Sequence, residues 1–142
     1  MALIGGGGAG NVGGGNPSGI GSSLNYIGNH AYANSGAIQT ETSAAPHLNF
    51  TTGNEYIIGV FELQGACNLS DVSDGEVSAF IIKINSEIVA QPKVGTAAEA
   101  MPTVEHYKIL ITPQSKIEVE VISAASNTGW KTSASFVGRV YA

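Results

Sequence analysis

From Ile38 onward, apolar residues recur with a two-residue period, the repeat that places every second side chain of a β-strand on one face. The segment KIEVEV is the clearest instance: Ile117, Val119 and Val121 fall on one face, and Lys116, Glu118 and Glu120 on the other. One face of that strand therefore meets water. Upstream, HYKILIT reads as its hairpin partner across the turn TPQSK, where Pro113 presets a first turn position. Residues 105–122 are thus expected to form two paired antiparallel strands. The terminal segment SASFVGRVYA alternates Ala134, Phe136, Gly138 and Val140 against Ser135, Val137, Arg139 and Tyr141.

Two segments, EYIIGVFEL and VSAFIIKI, are apolar on both alternating sets, which suits strands in the middle of an assembly. NSE at residues 85–87 makes a short turn into IVAQPKV. With AIQT and HLNFT added, the pattern predicts about eight short strands, spaced as in a β-sandwich or jelly roll. The best helical candidate, GTAAEAM, is one or two turns at most.

Residues 1–36 differ in kind. They hold 12 of the chain's 19 glycines and no charged side chain. The expected organisation is an extended glycine-rich arm over residues 1–36 followed by one sandwich domain over residues 37–142. Glycine loses the most backbone freedom on folding, and the arm has few large apolar residues to offset that loss: Leu3, Ile4, Val12, Ile20, Leu24, Tyr26 and Ile27. These seven are the candidate partner-binding positions, as pegs by which neighbouring chains hold the arm.

The run GGGGAG at residues 5–10 satisfies G-x-G-x-x-G, and GAGNVG at residues 8–13 does so again. That fingerprint binds a dinucleotide only between a buried strand and a helix, with an acid about 20 residues further on. Here only four residues precede it, no amphipathic helix follows, and the first acid is Glu41. A phosphate-binding loop of the lysine-containing type fails because the first lysine is Lys83. No cofactor is expected.

Other candidate chemistry is equally sparse. His30, His47 and His106 are scattered, and none stands at a common metal-ligand spacing from another donor. Cys67, the only cysteine, has no basic neighbour in sequence and cannot form an intrachain disulfide. DVSDGE at residues 71–76 gathers three acids but misses the calcium-loop pattern, with Ser70 and Val72 where the first and third ligands belong. It reads as a polar turn. The serines lack a nucleophile elbow or partner base, and Trp130 reads as core or interface packing. The expectation is a protein that is not an enzyme and has no metal site.

Charge narrows the partners. The 142-residue chain carries a net charge of -5, with 6 basic residues and no basic patch in its first half, which argues against nucleic acid and anionic membrane. No run approaches the roughly 18–20 apolar residues of a membrane span, and MALI leads directly into glycines without a secretory pattern. Synthesis in the cytoplasm is expected.

FTTGNEYIIGVFELQG, MPTVEHYKILITPQSKIEVEV and SFVGRVYA together resemble small virion proteins of tailed phages, particularly marine ones, over about residues 48–142. The resemblance lies in strands and turns and carries no catalytic signature. It implies an all-β fold, an antiparallel β-sandwich of jelly-roll type. It also implies assembly, often as a homotrimer, on the capsid surface as a decoration or cement protein bound to the major capsid protein. The alternative is a tail-fibre or adhesin module that binds host glycans through loops at residues 66–75 and 124–131.

Overall fold

The computed structural model describes residues 21–68, 75–94 and 104–141. Within them the two-residue period becomes burial directly: Ile117, Val119 and Val121 are buried while Lys116, Glu118 and Glu120 turn outward. The same rule builds an all-β chain of two antiparallel sheets packed face to face.

One sheet comprises β1 (Gly21–Ile27), β2 (His30–Asn34), β3 (Ile38–Thr40), β5 (Tyr56–Asn68), β6 (Gly75–Glu76), β10 (Val104–Ile111) and β12 (Asn127–Tyr141). Its main strand order is β1-β2-β12-β5-β10, with β3 beside β12 and β6 beside β5. The other sheet has the order β4 (Ala45–Thr51), β11 (Lys116–Ser123), β7 (Ser78–Ile84) and β8 (Glu87–Ala90), with β9 (Lys93–Val94) paired to β7. The described residues thus hold twelve strands, against the eight or so that the pattern predicts. Strands of two or three residues, such as β3, β6 and β9, are too short to show a period.

The core lies between the sheets. Phe61 and Phe136 on β5 and β12 meet at 4.8 Å, and Phe50 on β4 reaches Phe136 from the opposite sheet at 5.6 Å. Gly59 and Gly138 face each other across the β5–β12 ladder, Gly59 leaving room for the Phe136 ring and Gly138 for the Ile57 side chain. A Cβ on Gly59 would lie 2.4 Å from Phe136 Cζ, and one on Gly138 would lie 2.5 Å from Ile57 Cγ2.

Two sequence expectations need correction. The segments on either side of TPQSK are not hairpin partners: β10 pairs with β5, while β11 lies between β4 and β7 in the other sheet. The turn is a corner between sheets, fastened to the β4–β5 corner by Thr52 N–H donating to Ser115 O (2.9 Å), Ser115 N–H to Thr52 Oγ1 (2.9 Å) and Gln114 N–H to Gly53 O (2.8 Å). Alternation specifies which face of a strand is buried, and a hairpin and a corner bury the same face, so the pattern could not separate them. The second correction concerns residues 21–36, expected within the arm. Residues 21–34 hold the β1–β2 hairpin, turning at Gly28, whose φ of 58° is left-handed. β2 pairs with β12, so this stretch belongs to the sandwich. Its buried side chains are small or few (Leu24, Ala31, Ala33), which is why the period is faint there.

Other expectations agree with the structure. Asn85 and Ser86 form the turn from β7 to β8, both at positive φ (51° and 72°). Ala134, Phe136 and Gly138 face inward as the alternation of the last strand predicts; β5, though interior to its sheet, leaves Tyr56 and Ile58 exposed on its outer face. GTAAEAM lies outside the described residues.

Candidate interaction surface

The outer face of the seven-stranded sheet follows from register. Leu110, Ile58, Arg139 and His30 stand opposite one another in a row across β10, β5, β12 and β2, and Lys108, Val60, Val137 and Tyr32 form the next row. Leu110 is 55% exposed and Val137 56%. Tyr56 and Tyr141, paired and exposed, extend the apolar area, and the Arg139 guanidinium lies 5.6 Å from the Tyr141 ring centroid. A third row is polar: His106, Glu62, Ser135 and Asn34.

On the five-stranded sheet, Lys83 meets Glu120 at 2.8 Å and Lys116 meets Glu118 at 3.8 Å, while exposed Glu87 and Lys93 are not ion-paired among the described residues. The hydrogen bond to Glu120 chiefly raises the Lys83 pKa above its ordinary value. On the seven-stranded sheet, Lys108 and Arg139 are not ion-paired among the described residues, and the Glu62 carboxylate faces His106 at 3.2 Å. The seven-stranded face of this acidic chain thus mixes apolar side chains with two cations that no carboxylate answers among the described residues.

Of the seven candidate arm positions, Leu3, Ile4, Val12 and Ile20 lie outside the described residues. The other three do not act as a set. Leu24 is in the core, Tyr26 is half-buried with its hydroxyl donating to Glu55 Oε1, and Ile27 is 66% exposed at the end of β1. Burial first, then the hydrogen bond and the negative charge of Glu55, push the Tyr26 phenol well above its ordinary pKa. Both glycine motifs and residues 71–74 of the acidic turn also lie outside the described residues.

The histidines are far apart in role. His30 is exposed on β2, His106 faces Glu62 on the surface, and His47 is buried between the sheets. Burial lowers the His47 pKa, partly offset by its hydrogen bonds to Ala45 and Thr132. Among the described residues no group of three or more His, Cys, Asp or Glu side chains is placed to hold a metal ion, and no helix is long and apolar enough to cross a membrane. Trp130, on β12, is half-buried, and its Nε1 is shielded from solvent with no hydrogen-bond partner among the described residues.

The residues of the exposed face were not candidates from sequence, although a signal for them existed. EYIIGVFEL is apolar on both phases, and Val137 and Tyr141 interrupt the otherwise polar phase of the last strand. What was missing was the register that sets these strands side by side. No protein-family model matches the chain, and a search of curated proteins finds no match either.

Proposed function

We propose that this chain is a virion structural protein of the capsid decoration or cement type, seated on the major capsid protein through the outer face of the seven-stranded sheet. The observation that carries the reading is that face: Ile58, Val60, Val137 and Leu110 flanked by Tyr32, Tyr56, Tyr141 and the unpaired cations Lys108 and Arg139. Tyrosine and arginine around an apolar centre is the composition of protein interfaces, and cations without carboxylates favour an acidic counter-surface. A shell of many identical subunits offers such a surface at high local density.

Residues 1–20 complete the reading as an arm that reaches between neighbouring subunits, held by added-strand backbone pairing and by Leu3, Ile4, Val12 and Ile20. The jelly-roll type of sandwich belongs to the same proposal. Its support is the chain's repeated passage between sheets: β3 to β4, β4 to β5, β6 to β7, β9 to β10, β10 to β11 and β11 to β12 each change sheet.

The test is occupancy on expanded shells assembled from the major capsid protein. Val137→Asp and Arg139→Glu are each expected to cut occupancy at least about tenfold, in line with loss of an interface centre, and deletion of residues 2–20 to weaken it further. Full occupancy by all three variants, each folded, would sink the reading.

A further inference from the structure

Among the described residues, four strands end the main paths of the two sheets, with β3, β6 and β9 as short strands beside those paths, and three of the four are interrupted or short. β1 carries a register shift between Gly21 and Asn25, β4 contains Pro46 and faces a shift at Val119/Glu120, and β8 has four residues and a shift of its own. Proline, bulges and shortness are how proteins keep an edge from pairing with another chain. β10 has none of these three, and its protection is limited to the charges of Glu105 and Lys108. Its eight residues pair one to one with β5, from Val104 opposite Gln64 to Ile111 opposite Ile57, without a shift.

The two exposed apolar residues of β10 stand symmetrically about Tyr107, while Glu105 matches Ile109 and His106 matches Lys108. Val104 and Leu110, 44% and 55% exposed, stand three residues to either side of Tyr107. We propose that β10 is the strand through which two copies of this chain join, antiparallel and centred on Tyr107. In that register Val104 of each copy lies opposite Leu110 of the other, so both exposed apolar residues are covered. Lys108 of each copy lies opposite His106 of the other and one strand from Glu62, which brings an unpaired cation towards the carboxylate that His106 already faces. Side chains directly opposite must share a face, so the nearest competing registers centre on His106 or on Lys108. The first sets Val104 against Lys108, and the second sets two lysines against each other, which is unfavourable.

The join makes one continuous sheet across a twofold axis, an isologous contact that closes on itself. It shares Leu110 and Lys108 with the face proposed above to meet the capsid protein and extends that face across the axis, and it replaces the threefold arrangement that the resemblance implies with a pair.

Sedimentation equilibrium of the full chain tests it, with circular dichroism to check folding. The unaltered chain is expected to be a dimer at high concentration. The double variant Val104→Glu/Leu110→Glu sets like charges opposite each other twice and is expected to weaken the dimer at least about tenfold. The variant Val104→Glu/Leu110→Lys sets opposite charges at the same two places and is expected to restore it, now sensitive to salt. Both variants change only Val104 and Leu110, which are exposed, so the sandwich core is untouched. A chain that is monomeric at every concentration, one that forms a trimer, or a dimer that answers to neither variant would overturn the proposal. So would a failure of the second variant to restore the dimer.

Discussion

His47 and Thr132 join the two sheets through a hydrogen bond buried between them, Nε2 to Oγ1 at 2.8 Å. The ring's other nitrogen, Nδ1, lies 2.9 Å from the Ala45 carbonyl, which can only accept, so Nδ1 carries the hydrogen and Nε2 accepts from the Thr132 hydroxyl. That arrangement holds for the neutral ring, which burial favours, and the ring plane stands at 75° to that of Phe80. Burial holds its pKa below the ordinary 6.5. Between those two pKa values the unfolded chain binds a proton that the folded chain does not. Stability from this group is thus complete above pH 6.5, falls as the pH drops below it, and levels off at the folded pKa. The fall is at most about 1.4 kcal/mol per pH unit. Urea unfolding from neutral to mildly acidic pH should show the decline, and His47→Gln should be less stable at neutral pH but flatter across the range.

Gly59→Ala tests the space under Phe136. The added methyl would meet the Phe136 ring and, at 2.8 Å, the Val137 carbonyl oxygen, so relief requires both a core ring and a backbone segment to move. Overpacking of this kind costs about 1–3 kcal/mol, a fall in Tm of roughly 3–5 °C for each kcal/mol in a domain of about this size. Gly28→Ala meets nothing within 4 Å but must hold a φ of 58°, so its cost is backbone strain alone, about 1 kcal/mol. Thermal unfolding of the two variants separates crowding from strain.

These two sites show what could be read from the chain and what could not. Phe136 and Gly138 were assigned to one face because alternation needs no partner to be legible. That Gly59, 79 positions earlier, stands opposite Gly138 is a matter of register, which no local pattern contains. The same gap hid the exposed face, whose members Leu110, Ile58, Val137 and Tyr32 come from four segments distant in sequence. It also made the corner at Pro113 look like a hairpin. In residues 21–34 the difficulty was different: Asn25 is buried beside Leu24, and alanines fill the inward positions of β2, so polarity no longer marks depth.

Tyr26→Phe removes the hydroxyl that donates to buried Glu55 and leaves that carboxyl with the Gly53 N–H at 3.3 Å. A buried acceptor that loses its donor costs about 1–3 kcal/mol. Because the phenol is held well above its ordinary pKa, it remains the donor across the neutral range, and the cost of the substitution should be the same at pH 6 and pH 8 within about 0.5 kcal/mol. Glu55→Gln keeps an acceptor in place and should cost less. Urea midpoints of the three proteins at both pH values check the order.

The turn between β7 and β8 offers a gain in stability. Ser86 sits at a φ of 72°, where a side chain is strained by about 1–2 kcal/mol, and its neighbour Asn85 is at 51°. Two left-handed residues in a two-residue loop match the hairpin turn for which Asn-Gly is the preferred pair. Ser86→Gly relieves the strain at the expense of about 0.5–1 kcal/mol of added freedom in the unfolded chain, so a net gain of about 0.5–1 kcal/mol is expected. Asn85→Gly should do the opposite. The Asn85 side-chain oxygen accepts from Lys116 N–H at 2.9 Å, and its own N–H donates to Lys116 O at 2.8 Å, so this residue ties the turn to the start of β11. Losing the side chain frees the Lys116 amide. Opposite shifts of the urea midpoint for two adjacent glycine substitutions would show that backbone conformation governs one position and a side-chain anchor the other.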